Sequence, residues 1–122
     1  MQPRLLVLDD EESIREVLSL FFNKKGFEVI VSKTAKEAIE SAGREKFDLA
    51  IIDINLQGEN GFELLRYFKT NYPQLPVIIY TGLPDGDELV EQAMFRGANG
   101  FMCKTEPLED LLDVVKSYVR KP

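Results

Sequence analysis

Apolar residues fall along this chain in two alternating patterns. Short unbroken runs at Leu5 to Leu8, Phe27 to Val31, Leu49 to Ile52, Val77 to Tyr80 and Gly100 to Cys103 are each followed by turn or capping residues, and they read as five strands. Because these runs are continuous rather than alternating, both of their faces must be covered, as in a parallel sheet with helices on each side. The intervening segments carry a helical period. Ile14, Val17, Leu18, Phe21 and Phe22 lie on one stripe, with Gly26 placed for a left-handed C-terminal cap. Thr34 and Glu37 spell a capping box, backed by a small-residue stripe of Ala35, Ala38, Ile39 and Ala42. Leu64, Leu65, Phe68 and Tyr72 mark a third helix, begun near Asn60 and ended before Pro73. Leu89, Val90, Ala93 and Met94 mark a fourth, opened by Asp85 and closed by Gly97, and Leu108, Leu111, Leu112, Val115 and Val119 a fifth, with Pro107 suited to its first position. All five stripes are expected to face the core.

Strands alternating with helices predict an α/β fold with a doubly wound parallel sheet, since strand–helix–strand crossovers are right-handed in roughly 98% of cases. The expectation is a single domain over 1–122, a length that buries roughly two-thirds of the unfolded surface. The net charge of −6 would repel a phosphate backbone, so direct nucleic-acid binding by this segment is not expected. One cysteine excludes an internal disulfide, and no apolar run reaches the length of a membrane span, so the cytoplasm is the expected compartment. The chain has no histidine. Its chemistry must therefore rest on carboxylates, hydroxyls and amines.

In open α/β sheets the ligand site lies beyond the carboxyl ends of the strands. Asp9 and Asp10 follow the first strand, Asp53 the third, Thr81 the fourth and Lys104 the fifth. Three carboxylates at one sheet edge repel one another unless a cation neutralises them. Magnesium suits such a place, because it takes oxygen ligands and commonly uses one or two carboxylates together with a phosphate; manganese could substitute. Phosphoryl transfer onto a carboxylate needs its oxygens neutralised and its position held. Lys104 offers a point charge and Thr81 a hydroxyl donor, while the acceptor is one of the three aspartates.

Together the acidic pair in LLVLDDEE, the aspartate in DLAIIDINLQGENG, the threonine in VIIYTG and the lysine in GANGFMCK resemble the response-regulator receiver domains of two-component signalling, over the whole chain. The resemblance implies a flavodoxin-like fold with strand order 2-1-3-4-5. It implies Asp53 as phosphoacceptor, Asp10 as a direct metal ligand, Asp9 as a partly water-mediated one, the Asn55 backbone carbonyl as a further ligand, and Thr81 and Lys104 on the phosphoryl group. A sensor histidine kinase or phosphotransfer protein would supply that group. The resemblance also implies a switch in which Thr81 moves and Phe101 rotates into the space it leaves, altering a face made by helix four, strand five and helix five where an effector or a second copy docks.

Two positions depart from the family pattern. Gln57 stands in place of a common proline, and Thr105 follows Lys104 where a proline usually makes a cis bond, so the Lys104–Thr105 peptide is expected to be strained or trans. Glu11 and Glu12 are read as supporting a helix N-terminus, and Cys103 as a small buried hydrophobe. Other functions fit less well. A haloacid-dehalogenase phosphatase needs D-x-D-x-T where this chain has DDEE, and a flavin or nucleotide binder needs a phosphate-cradling loop that two aspartates would oppose. The remaining alternative is a pseudo-receiver that keeps the fold as an interaction module without phosphorylation.

Overall fold

A computed structural model describes residues 2–56, 59–82 and 87–119. The expectations for Gln57 and Asp85 lie outside the described residues. The elements run β1 (Arg4–Leu8), α1 (Glu12–Lys24), β2 (Glu28–Ser32), α2 (Ala35–Arg44), β3 (Leu49–Ile52), β4 (Asn55–Leu56), β5 (Glu59–Asn60), α3 (Gly61–Asn71), β6 (Val77–Thr81), α4 (Asp87–Phe95), β7 (Gly100–Cys103) and α5 (Leu108–Tyr118).

The five apolar runs pair as one parallel sheet in the order β2-β1-β3-β6-β7. This is the expected 2-1-3-4-5 order, with the numbering displaced by a small antiparallel ribbon, β4–β5, just after Asp53. Strands of two residues are too short to show a period, so the ribbon was not foreseen. Side chains alternate along each strand between two apolar layers. Leu6, Leu8, Ala50, Ile52, Val77 and Ile79 pack with α2, α3 and α4, whereas Leu5, Val7, Leu49, Ile51, Ile78 and Tyr80 pack with α1 and α5. That double cover is why the strands read as unbroken apolar runs.

Local chemistry sets the helix ends. α1 closes with Gly26 at φ 94°, its N–H on the Asn23 carbonyl and the Phe27 N–H on the Phe22 carbonyl; Gly97, at φ 101°, closes α4 in the same way. Phe27 then packs edge-on against Phe22. Thr34 accepts from the Glu37 N–H, and the Glu37 carboxylate answers by accepting from the Lys33 N–H. Asn60 caps α3 through the Phe62 N–H. Pro107 sits at the N-cap of α5, one residue before its expected position. Two residues assigned to core-facing stripes are solvent-exposed, Val17 at 46% and Met94 at 45%. Each lies about 100° around its helix from a buried neighbour, Leu18 or Ala93, and the sheet covers a narrower arc than the apolar stripe spans.

Asn99 ties three elements together at the opposite end of the sheet from the candidate site. Its amide oxygen accepts from the Val77 N–H and from the Lys69 ammonium, and its carbonyl accepts from the Tyr118 hydroxyl. Burial holds the Lys69 ammonium below its ordinary pKa.

Gly61 fixes how closely α3 approaches the chain leaving β3. A Cβ there would collide with the Ile54 Cα and stand 2.8 Å from the Ile54 carbonyl oxygen, whereas a Cβ at Gly43 meets nothing within 4 Å. Gly61→Ala is therefore expected to lower stability by about 2 kcal/mol, as overpacking against backbone does. Gly43→Ala, inside α2, should raise stability by about 0.5 kcal/mol. Urea unfolding of the two variants checks both signs.

Candidate functional site

Strand register brings the site together. Leu8 pairs with Ile52, so Asp9 and Asp53 leave the sheet side by side, and the Asp53 N–H bonds the Leu8 carbonyl at 3.0 Å. Thr81 pairs with Cys103, and the Lys104 N–H bonds the Thr81 carbonyl at 2.8 Å. All the carboxyl-end candidates therefore sit along one edge of the sheet, in a crevice bordered by α1 and the β4–β5 ribbon.

Asp9 and Asp53 are almost wholly buried, at 1% and 3% exposure. Each carboxylate is oriented by a backbone donor two residues on, Asp9 Oδ1 by the Glu11 N–H and Asp53 Oδ1 by the Asn55 N–H, both at 2.9 Å. The second oxygen of each faces one ammonium. Lys104 Nζ lies 2.7 Å from Asp9 Oδ2, 2.8 Å from Asp53 Oδ2 and 3.0 Å from Glu11 Oε1, so its three N–H groups meet three carboxylates. Burial drives the Asp9 carboxyl above its ordinary pKa, against the opposing pull of hydrogen bonds from Lys104 and the Glu11 N–H. For Lys104 burial works to lower the pKa, but hydrogen bonds to Asp53, Asp9 and Glu11 outweigh it and the ammonium is held above its ordinary value.

Asp10, half-buried, completes a group in which one carboxylate oxygen each from Asp9, Asp10 and Asp53 lies within 4.8 Å of the others. This donor set fits a hard divalent cation: all three are charged oxygens, and one ammonium is in contact with a cluster that also includes Glu11. Thr81 is fully buried at the end of β6, and Phe101, half-buried on β7, packs into the layer beneath α2, α3 and α4. Asn55, exposed, stands at the start of the ribbon, two residues beyond Asp53.

Sequence reasoning missed two neighbours. Glu11, beyond supporting the N-terminus of α1, reaches across to Lys104. Arg15 donates to the Asp9 backbone carbonyl at 2.8 Å, one turn along α1 from Glu11, whose carbonyl accepts the Arg15 N–H. The only available signal was the spacing of Glu11 and Arg15 on one helical face, which is shared by many solvated pairs. The Lys104–Thr105 peptide is trans, which resolves the alternative left open by Thr105.

Lys104→Met would leave Asp9 and Asp53 without their ammonium. In chelator the variant is expected to be less stable than the parent by about 2 kcal/mol, less than for a sealed ion pair because the crevice opens to solvent at Glu11. A divalent cation such as magnesium that took over the same oxygens would restore more thermal stability to the variant than to the parent. Thermal melts in chelator and in magnesium check this.

The family model described as "Response regulator receiver domain" matches residues 5–116. The chain is 36% identical over 118 residues to the response regulator protein FleR of Pseudomonas aeruginosa, covering 97% of this chain and 25% of that relative. It thus spans about a quarter of that relative's length. Among solved structures it is similar to a CheY-like response regulator receiver domain protein from Methanospirillum hungatei, with TM-score 0.90, 28% identity, and 98% and 94% of the two chains covered. It is also similar to a response regulator from Burkholderia pseudomallei solved with a phosphorylated aspartic acid, a calcium ion and citrate, with TM-score 0.86, 26% identity, and 95% and 68% covered.

Proposed function

This chain belongs to the response regulator receiver domain family, and we propose that it acts over 1–122 as one phosphoacceptor domain, with Asp53 receiving a phosphoryl group from a phosphohistidine on a sensor histidine kinase or phosphotransfer protein. The observation that carries this reading is the Lys104 ammonium held between Asp53 Oδ2 and Asp9 Oδ2, beside three carboxylates within 4.8 Å of one another. Asp9, Asp10, Asp53 and the Asn55 backbone carbonyl would hold a magnesium ion, for which manganese substitutes. Once bound, the ion neutralises the carboxylates and the oxygens of the incoming phosphoryl group. The phosphorylated aspartic acid and calcium ion in the Burkholderia pseudomallei structure support this reading.

In the transfer, an Asp53 carboxylate oxygen bonds to phosphorus as the phosphorus–nitrogen bond to the donor imidazole breaks. The electron pair returns to the imidazole nitrogen, which takes up a proton. Lys104 exchanges its hydrogen bond to Asp53 Oδ2 for one to a phosphoryl oxygen, a short movement for a flexible four-carbon stem. The Thr81 hydroxyl donates to another phosphoryl oxygen, and the buried space it vacates admits the Phe101 ring. Phe101 lacks a hydroxyl, so this rotation is governed by packing. The population shift reaches the α4–β7–α5 face, where an effector or a second copy docks; α4 carries the exposed Met94 and Phe95 and α5 the exposed Tyr118. The domain signals rather than catalyses turnover, and its place of action is the cytoplasm, without direct contact to nucleic acid or membrane.

Incubation with acetyl phosphate, followed by intact-mass measurement, tests the reading. A single phosphoryl adduct is expected with magnesium and none in chelator, and Asp53→Asn should abolish it. A folded protein that gains no adduct under any condition would instead be a phosphorylation-independent pseudo-receiver.

A further inference from the structure

The turn that carries Lys104 is closed twice by the same pair of residues. Lys104 and Thr105 are its two central residues, and the Glu106 N–H donates to the Cys103 carbonyl at 3.0 Å across them. The Glu106 side chain then folds back, its Oε1 accepting from the Cys103 N–H, again at 3.0 Å. Thr105 Oγ1 donates to Cys103 Sγ at 3.1 Å, inside the same turn. Glu106 is well suited to this task, because it precedes Pro107, whose ring restricts the residue before it to extended backbone. No proline stands within the turn itself to restrict it.

We propose that Glu106 is a positioning residue for Lys104: its carboxylate clasps the Cys103 N–H and so fixes the origin of the side chain that reaches Asp53 and Asp9. The lysine stem has four rotatable carbons, and its ammonium must meet three acceptors within 3.0 Å. Holding the Lys104 backbone removes one source of that spread before the ammonium engages. One end is already held by the Lys104 N–H on the Thr81 carbonyl. The clasp ties together the residues on either side of Lys104 and Thr105. Glu106 is exposed, so its hydrogen bond contributes little to global stability, and losing it acts on the placement of Lys104 rather than on the fold.

This inference rests on the phosphoacceptor reading for its kinetic consequence but not for its structural one, and the test separates the two. The parent, Glu106→Ala and Glu106→Gln are compared by the rate of magnesium-dependent adduct formation from acetyl phosphate, and by the nitrogen-15 signal of the Lys104 ammonium without donor. Glu106→Ala is expected to slow phosphorylation about threefold to tenfold and to broaden or shift the Lys104 signal, with the melting temperature little changed. Glu106→Gln keeps a carbonyl oxygen for the Cys103 N–H and should stay within about twofold of the parent rate with an unmoved signal. An unchanged Lys104 signal in Glu106→Ala, or a Glu106→Gln variant as impaired as Glu106→Ala, overturns the clasp. Failure of the parent to form an adduct would sink the phosphoacceptor reading alone, because the ammonium signal still decides the role of Glu106.

Discussion

The rest of this molecule is organised around two carboxylates that have lost nearly all contact with water. Asp9 and Asp53 stand at the ends of adjacent parallel strands, each with one oxygen turned to a backbone N–H and the other to the same ammonium. Removing charge from water costs several kcal/mol per group unless partners replace the lost hydration. Here the replacement is supplied from across the sheet, since Lys104 follows β7, the edge strand, and must pass over β6 to reach β3 and β1. The acidic pair and the lysine are thus useful only when four strands are in register, which ties the chemistry to completion of the fold.

The same arrangement leaves Asp53 Oδ2 paired with an ammonium. Lys104 balances part of the charge of a cluster that remains rich in anionic oxygen. A divalent cation entering it would redistribute contacts that already exist. Thr81 is buried at the end of the neighbouring strand β6, and Phe101 is half-buried in the layer that packs with α2, α3 and α4.

Much of this was readable from residue order. The five sheet strands appear as unbroken apolar runs because both faces are covered, and Leu49–Ile52 and Gly100–Cys103 fall where those runs lie. Asp9, Asp10, Asp53, Thr81 and Lys104 were legible as candidates for one site because a parallel sheet presents its strand ends together. What escaped depends on side-chain direction and on short-range geometry. The ribbon at Asn55–Leu56 and Glu59–Asn60 is too brief to carry a period. Glu11 and Glu106 look like ordinary surface acids in sequence, and only the path of the chain shows one reaching Lys104 and the other folding back on Cys103. Val17 and Met94 belong to apolar stripes wider than the surface that covers them.

The double apolar cover of the sheet also bears on how the strands find their alignment. Where one face of a strand is wet, a slip of one residue exposes its hydrophobic side chains and is penalised at once. In β1 a slip would merely exchange Leu6 and Leu8 for Leu5 and Val7 between two oily layers, a repacking cost of a few kcal/mol at most. The same slip in one direction would drag Asp9 into the sheet beside Ile52, away from the Glu11 N–H and from Lys104. The buried carboxylates of the site therefore serve as the ruler marks of the sheet, and a mutation that neutralises Asp9 erases one of those marks.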